Sequence, residues 1–391
     1  MDSVRHLLAD EGQLVDTLPD YDARTANALS RELRERGYAP DLVSAALTQQ
    51  KLRARARAKF GDDAAWMIFT DAGYQQATRR VVADLHAQRY RRAGCRNVLD
   101  MTSGIGADSM AFARAGLEVT AVDIDEVTSA CAKHNLAGFP SARTLCGDVL
   151  DLDLGEYDGA FADPGRRSAR GRTFDPRDYT PPLDRILEIR RIVPALGVKV
   201  APGIAYEELP EDAHAQWVSV DGSVVEAGLW FGPLADHPGR SALVITGEGM
   251  TEVSASDDPR APAKHVPAEE LGQYLYEPDG AVIRSGAVAE VSRRLNAPPV
   301  SEGIAYLSGD TLVQTSLATA FRVLDVVPIK RVREYLRARQ VGSVEILKRG
   351  TDIVPDQFRK SLRLKGQNFA TIILTRLKGK HSCLVVERVG W

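Results

Sequence analysis

The sequence predicts an α/β protein in which a doubly wound parallel sheet lies between an N-terminal helical domain and a C-terminal α+β domain. Short apolar runs alternate with helical patterns from residue 97 onward, as they do in βαβ units. Before that point, apolar residues recur three or four positions apart, which is typical of helices. A stretch rich in Gly, Pro, Ser and Asp separates the two later regions. The predicted domains are residues 1–90, 91–248 and 271–391, with a linker at 249–270.

The N-terminal region is predicted to be helical. The run from Asp22 to Phe60 is rich in Ala, Leu and Arg, which favour helices. The run from Thr70 to Tyr90 opens with a Thr-Asp cap candidate and continues as an amphipathic pattern.

The α/β pattern is clearest in four short runs. NVLDM and EVTAVDI are expected to be buried parallel strands, and ADSMAFARAG to be the helix between them, closed by Gly116. YDGAFADP is expected to be a strand that stops at a proline. In the last region, FATIILTRLKGKHSCLVVERV predicts a β-hairpin that turns at Lys378-Gly379-Lys380.

Composition argues against several classes of protein. No apolar run approaches the ~18 residues of a membrane span, and the acidic N-terminus lacks a signal-peptide core, which favours a cytoplasmic location. The seven histidines have no metal-ligand spacing, so no metal is predicted. Reduced thiols are expected at the four cysteines, Cys95, Cys131, Cys146 and Cys383.

The net charge of −3 conceals an asymmetry between two parts of the chain. From Phe321 to Trp391 there are 16 Lys and Arg against 6 Asp and Glu, a balance of +10. The remainder holds 34 basic and 47 acidic residues, a balance of −13. A basic C-terminal region indicates either an anionic partner such as nucleic acid or a solvated basic surface.

The stretch VLDMTSGIGADS predicts a ligand-binding turn after the first strand. Its glycines are Gly104 and Gly106, and Ser109 stands where a dinucleotide fingerprint requires a third glycine. Asp100, just before the turn, would repel a pyrophosphate and attract a cationic ligand such as S-adenosylmethionine. Asp123, after the next strand, is placed to accept from ribose hydroxyls, and Asp148 from an adenine amine.

With these residues, the segment resembles a class I S-adenosylmethionine-dependent methyltransferase over residues 95–248. The resemblance implies a Rossmann-like doubly wound sheet and S-adenosylmethionine as the cofactor. A nicotinamide-binding domain is the alternative, although it would have to tolerate Asp100. The predicted cofactor-binding residues are Asp100, Thr102, Gly104, Gly106, Asp108, Asp123, Ile124, Asp148, Val149 and Asp163.

The stretch ADPGRRSARGRTF is the predicted catalytic corner. Asp163 and Pro164 match the start of the Asn/Asp/Ser-Pro-Pro-aromatic motif of methyltransferases that act on amines of planar bases, but Gly165 and Arg166 depart from it. A carboxylate at Asp163 can accept from an exocyclic N–H and aim the nitrogen lone pair at the methyl carbon. The predicted catalytic residues are Asp163, Pro164 and Phe174, with Tyr179 as the other source of the missing ring.

Two groups of cations are predicted to contact RNA phosphates. Arginines crowd the loop beside the catalytic corner, where the alternative is a solvated loop: Arg166, Arg167, Arg170 and Arg172. The C-terminal set is Lys330, Arg331, Arg349, Lys360, Arg363 and Lys365.

The whole chain resembles bacterial class I methyltransferases with a C-terminal THUMP-like domain. The residues that carry the likeness are YLYEPDGAVIRSG, VEILKRG and FRKSLRLKG. This resemblance implies an RNA substrate. A fainter likeness links KFGDDAAWMIFTDAGYQQAT to the segment before the catalytic domain of trimethylguanosine synthases, where it helps to close the pocket. Phe60, Trp66 and Phe69 are therefore either pocket residues or packing residues.

These observations lead to one main hypothesis: S-adenosylmethionine-dependent methylation of tRNA or rRNA, at a base nitrogen. One alternative is a small-molecule methyltransferase, which the basic region and the arginine loop oppose. The other is a non-catalytic RNA-binding protein with a relic cofactor domain, which the intact set of three acids opposes.

Overall fold

A computed structural model describes residues 2–9, 13–165, 167–168, 171–172 and 175–390. The chain forms two compact units. One comprises Met1–Val200 and Trp230–Asp236, and the other Ala201–Leu229 and His237–Trp391. This division rests on contacts within each unit, so the domain boundaries expected from sequence motifs stay a prediction.

The first unit begins with helices, as predicted for residues 1–90. The longest, the fourth, starts with a proline in its first turn and ends at Gly61, whose φ of +61° breaks the helical path. Its buried face packs on α1–α3 through residues such as Leu7, Leu33 and Val43. The helices are α1 Asp2–Ala9, α2 Gln13–Asp16, α3 Ala26–Glu35, α4 Pro40–Phe60, α5 Asp71–Gln76 and α6 Arg80–Arg92.

A parallel sheet with the order β3-β2-β1-β4-β7 forms the centre of the first unit. Helices α7 Ala107–Arg114, α8 Glu126–Leu136 and α9 Leu183–Glu188 connect its strands. Because the strands are parallel, their carboxyl ends meet at one edge, where ligands bind in doubly wound folds. The strands in chain order are β1 Asn97–Asp100, β2 Glu118–Asp123, β3 Ala142–Cys146, β4 Gly159–Ala162, β5 Arg167–Ser168, β6 Gly171–Arg172 and β7 Ala195–Val200.

Aromatic rings fill the core on one side of this sheet. Tyr90, Phe112, Phe161 and Trp230 are all at most 2% exposed, with ring centroids 5.1–6.5 Å apart. A Cβ atom at Gly197 would lie 2.6 Å from the Trp230 ring, so only glycine allows β7 to approach the indole so closely.

The second unit contains two groups of strands. The first has the order β11-β10-β8-β9, and the second the order β13-β12-β14-β17-β16-β15. The strands are β8 His214–Val220, β9 Ser223–Trp230, β10 Gly239–Thr246, β11 Gly249–Ser256, β12 Tyr274–Pro278, β13 Leu307–Gly309, β14 Ala318–Val327, β15 Val341–Lys348, β16 Asn368–Leu377 and β17 Lys380–Arg388. The helices are α10 Gly280–Ser285, α11 Val288–Leu295, α12 Val332–Ala338 and α13 Pro355–Leu362.

One prediction in this unit is confirmed and one is corrected. The predicted hairpin is β16–β17, whose register pairs Leu377 with Lys380 across Lys378 and Gly379, both with positive φ. The linker predicted at 249–270 is wrong in its first eight residues, because Gly249–Ser256 pairs antiparallel with β10 and buries Val253. The small polar residues of this segment concealed a strand with a single buried side chain.

No helix in the described part of the chain is both long enough and apolar enough to cross a membrane.

Candidate active site at the carboxyl ends of the strands

The glycine turn follows β1 directly. Gly104 has a φ of +55° and Gly106 a φ of +87°, and α7 begins immediately afterwards. A backbone with positive φ at both positions favours glycine. The turn is fixed by two hydrogen bonds, from the Ser103 amide to the Val122 carbonyl at 2.8 Å and from the Gly106 amide to the Ser103 carbonyl at 2.8 Å.

Asp100 is the last residue of β1 and is only 1% exposed. Ser109 donates a hydrogen bond to its Oδ2 at 2.5 Å. Burial, followed by the negative charge of Asp108, raises the pKa of Asp100 to about 8. The carboxyl group is therefore largely protonated at neutral pH, and a bound cation would favour its ionised form.

Asp123 connects the end of β2 to the glycine turn. Its Oδ2 accepts from the Gly104 amide at 3.0 Å, and its Oδ1 accepts from the Asp125 amide at 2.9 Å. Burial raises the pKa of this carboxyl above its usual value. A carboxylate fixed beside the glycine turn can accept hydrogen bonds from two ribose hydroxyls.

Apolar side chains lie exposed near the ends of β2 and β3. Ile124 is 66% exposed, Leu145 38% and Leu150 38%. Asp148 caps the short 3-10 helix Val149–Asp151 by accepting from the Leu150 amide at 3.0 Å. Exposed apolar groups beside an acceptor carboxylate fit an adenine ring with its exocyclic amine.

Asp163 follows β4. Its backbone amide and its side-chain carboxylate each have a separate hydrogen-bond partner. Its amide donates to the Thr102 hydroxyl at 2.6 Å, which ties the predicted catalytic corner to the glycine turn. Its Oδ2 accepts from Lys199 Nζ at 2.5 Å. Among the described residues Oδ1 has no hydrogen-bond donor, and the side chain is 24% exposed. Pro164 beside it is buried.

Lys199 belongs to a buried polar network that reaches across the unit. It lies in β7, is 6% exposed, and also donates to the Thr78 hydroxyl at 2.9 Å. Thr78 in turn donates to Asp108 Oδ2 at 2.5 Å, and His86 Nδ1 lies 2.8 Å from Asp108 Oδ1. Burial raises the pKa of Asp108, but the hydrogen bond and charge of His86, the charge of Lys199 and the hydrogen bond of Thr78 together outweigh it, so the net shift is downward.

This network also includes one predicted cofactor-binding residue. Both carboxylate oxygens of Asp108 have partners within the protein, Thr78 and His86. Its role in cofactor binding stays a prediction.

The segment before α5 packs against the glycine turn. Asn135 bonds to both backbone groups of Ile68, at 2.8 and 3.0 Å, and donates to the Ile105 carbonyl at 2.9 Å. Phe60 and Phe69 are buried to 2% and 0% exposure with their ring centroids 5.5 Å apart, which favours the packing interpretation of these rings.

Sequence comparison identifies relatives of this chain. A protein of Mycobacterium tuberculosis described as an uncharacterized S-adenosylmethionine-dependent methyltransferase, in strains CDC 1551 and H37Rv, is 35% identical over 352 residues. The match covers 87% of this chain and 93% of that protein. The chain belongs to the S-adenosylmethionine-dependent methyltransferase family. Its cofactor is S-adenosylmethionine.

Two family models match regions at the two ends of the methyltransferase. Residues 318–388 match the family described as THUMP domain-like, and residues 1–56 match a domain of unknown function. The crystal structure of a candidate methyltransferase from Porphyromonas gingivalis W83 superposes with a TM-score of 0.73 at 18% identity, and covers 95% of this chain and 100% of that one. This likeness supports the predicted fold.

Part of the predicted catalytic loop of the methyltransferase lies outside the described residues. This applies to Arg166, Arg170 and Phe174. The backbones of Arg167 and Arg172 pair in the short β5–β6 ladder. Tyr179, the other candidate for the missing ring, is 2% exposed and belongs to the core, so in this structure it presents no ring to an acceptor.

The predicted RNA-binding cations of the THUMP-like region divide into two kinds. Arg349 is half-buried, with its guanidinium 3.3 Å from Glu277, and it packs over the Tyr306 ring, which indicates a structural role rather than the predicted RNA contact. The others are exposed, and no ion pair involves their side chains in the described part of the chain: Lys330, Arg331, Lys360, Arg363 and Lys365.

Sequence reasoning missed Lys199, Thr78 and His86. One signal was available for the lysine: GVKVAPG places it inside an otherwise apolar strand, and lysine is almost never fully buried without a partner. No comparable signal marked Thr78 or His86. Among the described residues, no group of His, Cys, Asp and Glu is arranged to hold a metal ion.

Proposed function

We propose that this methyltransferase transfers the methyl group to a nitrogen of a base in tRNA or rRNA. The observation that carries the proposal is the environment of Asp163. Thr102 fixes its amide and Lys199 fixes its Oδ2, so that Oδ1 stays available next to the glycine turn. An acceptor oxygen in that position suits an exocyclic amine, which has both an N–H to donate and a lone pair to aim.

The residues of the corner divide the chemistry between them. S-adenosylmethionine, when bound, supplies the methyl group on a sulfonium that leaves as a neutral thioether. Asp163 Oδ1 accepts the N–H of the acceptor, aims its lone pair and receives the proton as the nitrogen is methylated. Lys199 holds Oδ2 and so fixes the carboxylate plane. Lys199 is thus a positioning residue in this proposal.

Cations and one relative support RNA as the acceptor. The exposed lysines and arginines of the THUMP-like region provide a surface for phosphates. The chain is also 31% identical over 93 residues to ribosomal RNA small subunit methyltransferase A of Geobacter sulfurreducens. The matched segment covers 24% of this chain and 33% of that protein.

The test is transfer of tritiated methyl from S-adenosylmethionine to total cellular RNA from a strain that lacks the protein. We expect label in one RNA size class, loss of label with Asp163→Ala, and unchanged calorimetric binding of S-adenosylmethionine. Asp62→Ala, which removes an exposed carboxylate elsewhere in the same unit, is the control. Cofactor binding without any labelled RNA would contradict the RNA proposal and point to a small-molecule acceptor. Full activity of Asp163→Ala would remove Asp163 from the mechanism.

A further inference from the structure

Two more cations lie near the catalytic corner: Lys59 in the last turn of α4, and Arg79 on the segment that leads into α6. Lys59 Nζ donates to the carbonyl oxygens of Tyr74 at 2.8 Å and Gln75 at 3.3 Å. Thr78 donates to the buried network and contacts Lys199, and Arg79 follows it directly. Gln75 and Thr78 are three residues apart, at most ~11 Å along an extended chain. The segment therefore holds Lys59 and Arg79 close to Lys199 and Asp163.

The two carboxylates at this corner already have partners within the protein. Asp163 pairs with Lys199 and Asp108 with His86. Lys59 bonds to neutral carbonyls, and the guanidinium of the half-buried Arg79 makes no hydrogen bond or ion pair within the described residues. Burial lowers the pKa of Lys59 to about 8, and the charges of Lys199 and Arg79 add to that effect.

The neighbouring arginine shows how this protein treats a cation that has a structural role. Arg80 lies 3.5 Å from Asp63 and 3.6 Å from Asp84, and Arg114 shares the same two carboxylates. Arg79, one position earlier, has no such partner among the described residues. The difference between adjacent arginines indicates that the Arg79 side chain is available to an anion that comes from outside the protein.

We propose that Lys59 and Arg79 form an anion subsite beside Asp163 that binds one phosphate of the RNA acceptor. This inference rests on the proposed function. Arginine presents a planar fork that matches two phosphate oxygens, and lysine adds a point charge. A phosphate held here would fix the position of the nucleotide whose base faces Asp163, because phosphate contacts set register without reading sequence.

Arg79→Gln is the decisive variant, with Arg80→Gln as the matched control of equal charge change at the adjacent position. With the RNA fraction that accepts label, we expect Arg79→Gln to raise KM about tenfold and to change kcat less than twofold. It should also reduce the slope of log affinity against log salt by about 0.7–0.9, the amount for one phosphate contact. Arg80→Gln should leave KM and the salt slope within twofold of wild type. Lys59→Gln should raise KM in the same way as Arg79→Gln, although it also removes two carbonyl contacts.

The outcomes separate this inference from the RNA proposal. If RNA is methylated and Arg79→Gln behaves like Arg80→Gln, the subsite does not exist. If no RNA is methylated, calorimetry with inorganic phosphate tests whether Lys59 and Arg79 bind an anion. Binding to wild type and to Arg80→Gln but not to Arg79→Gln keeps the subsite and assigns it to the phosphate of a free nucleotide. Absence of phosphate binding by wild type in that case overturns the inference.

Discussion

Ionisable residues behave differently in the strand-end site and in the THUMP-like region. At the site, Asp100, Asp108 and Lys199 are at most 7% exposed, and each has hydrogen-bond partners. In the THUMP-like region, Lys330 and Arg331 are exposed and pair with no acid among the described residues. A buried paired charge acts through the geometry of its neighbours, whereas an exposed charge adds to a field that salt screens. Single substitutions should therefore have large effects in the first region and small, additive ones in the second.

The largest effect is expected at Lys199. Lys199→Met removes the partner of Asp163 Oδ2 and leaves that carboxylate free to rotate. We expect kcat to fall by about 10²-fold, the loss that a misplaced catalytic group produces, while calorimetric affinity for S-adenosylmethionine changes less than threefold. Lys199→Arg, which keeps the charge, should restore part of kcat. Wild-type kcat in Lys199→Met would show that Asp163 needs no anchor.

Asp100 is the next test, because its pKa of about 8 links cofactor binding to pH. Below pH 8 the carboxyl must lose a proton before it can pair with the bound cation, so affinity for S-adenosylmethionine should rise with pH up to about 8. Asp100→Asn cannot ionise. We expect it to weaken binding about 10–100-fold at pH 8, as loss of a charged hydrogen bond does, and to flatten the pH dependence. A parallel pH dependence in both proteins would assign the titration to another group.

The same pKa has a consequence for stability of the protein without cofactor. The folded pKa is raised, so the contribution of Asp100 to stability is present below the unfolded value of 3.8 and is lost as pH rises toward 8. Asp100→Asn should therefore raise Tm more at pH 8.5 than at pH 5, by at most about 2–4 °C for each ~1 kcal/mol. An unchanged or lower Tm at pH 8.5 would show that the buried carboxyl costs nothing.

Thr78 should give a smaller effect with a closely matched pair of variants. Its hydroxyl joins Lys199 to Asp108, so Thr78→Val keeps the shape and removes both hydrogen bonds. We expect about a tenfold loss of kcat, equivalent to ~1.4 kcal/mol, and near-wild-type activity for Thr78→Ser. Equal losses in the two variants would mean that the methyl group, rather than the hydroxyl, is what the site requires.

These predictions depend on different amounts of sequence information. The positions of Asp100, Gly104, Asp123 and Asp163 at strand ends and in the turn could be predicted, because strand ends and turns leave a local pattern. The Lys199–Thr78 contact could not, because it joins residues 121 positions apart, and a lysine inside an apolar strand indicates a buried partner without identifying that partner. Likewise β11 was misread because pairing with β10, rather than its own apolar content, makes it a strand.

The smallest effects are expected from single cations of the THUMP-like region. Lys330→Gln should weaken binding of the RNA that accepts label only about two- to threefold and reduce its salt slope by about 0.7–0.9, since one phosphate contact is lost. Cofactor affinity and kcat at saturating RNA should not change, because this residue acts on association alone.

Arg349→Gln should have the opposite effect. Loss of its ion pair with Glu277 should lower Tm and leave the salt slope as in wild type. If Arg349→Gln instead changed the slope and spared Tm, the division between paired structural charges and exposed binding charges would fail within the THUMP-like region itself.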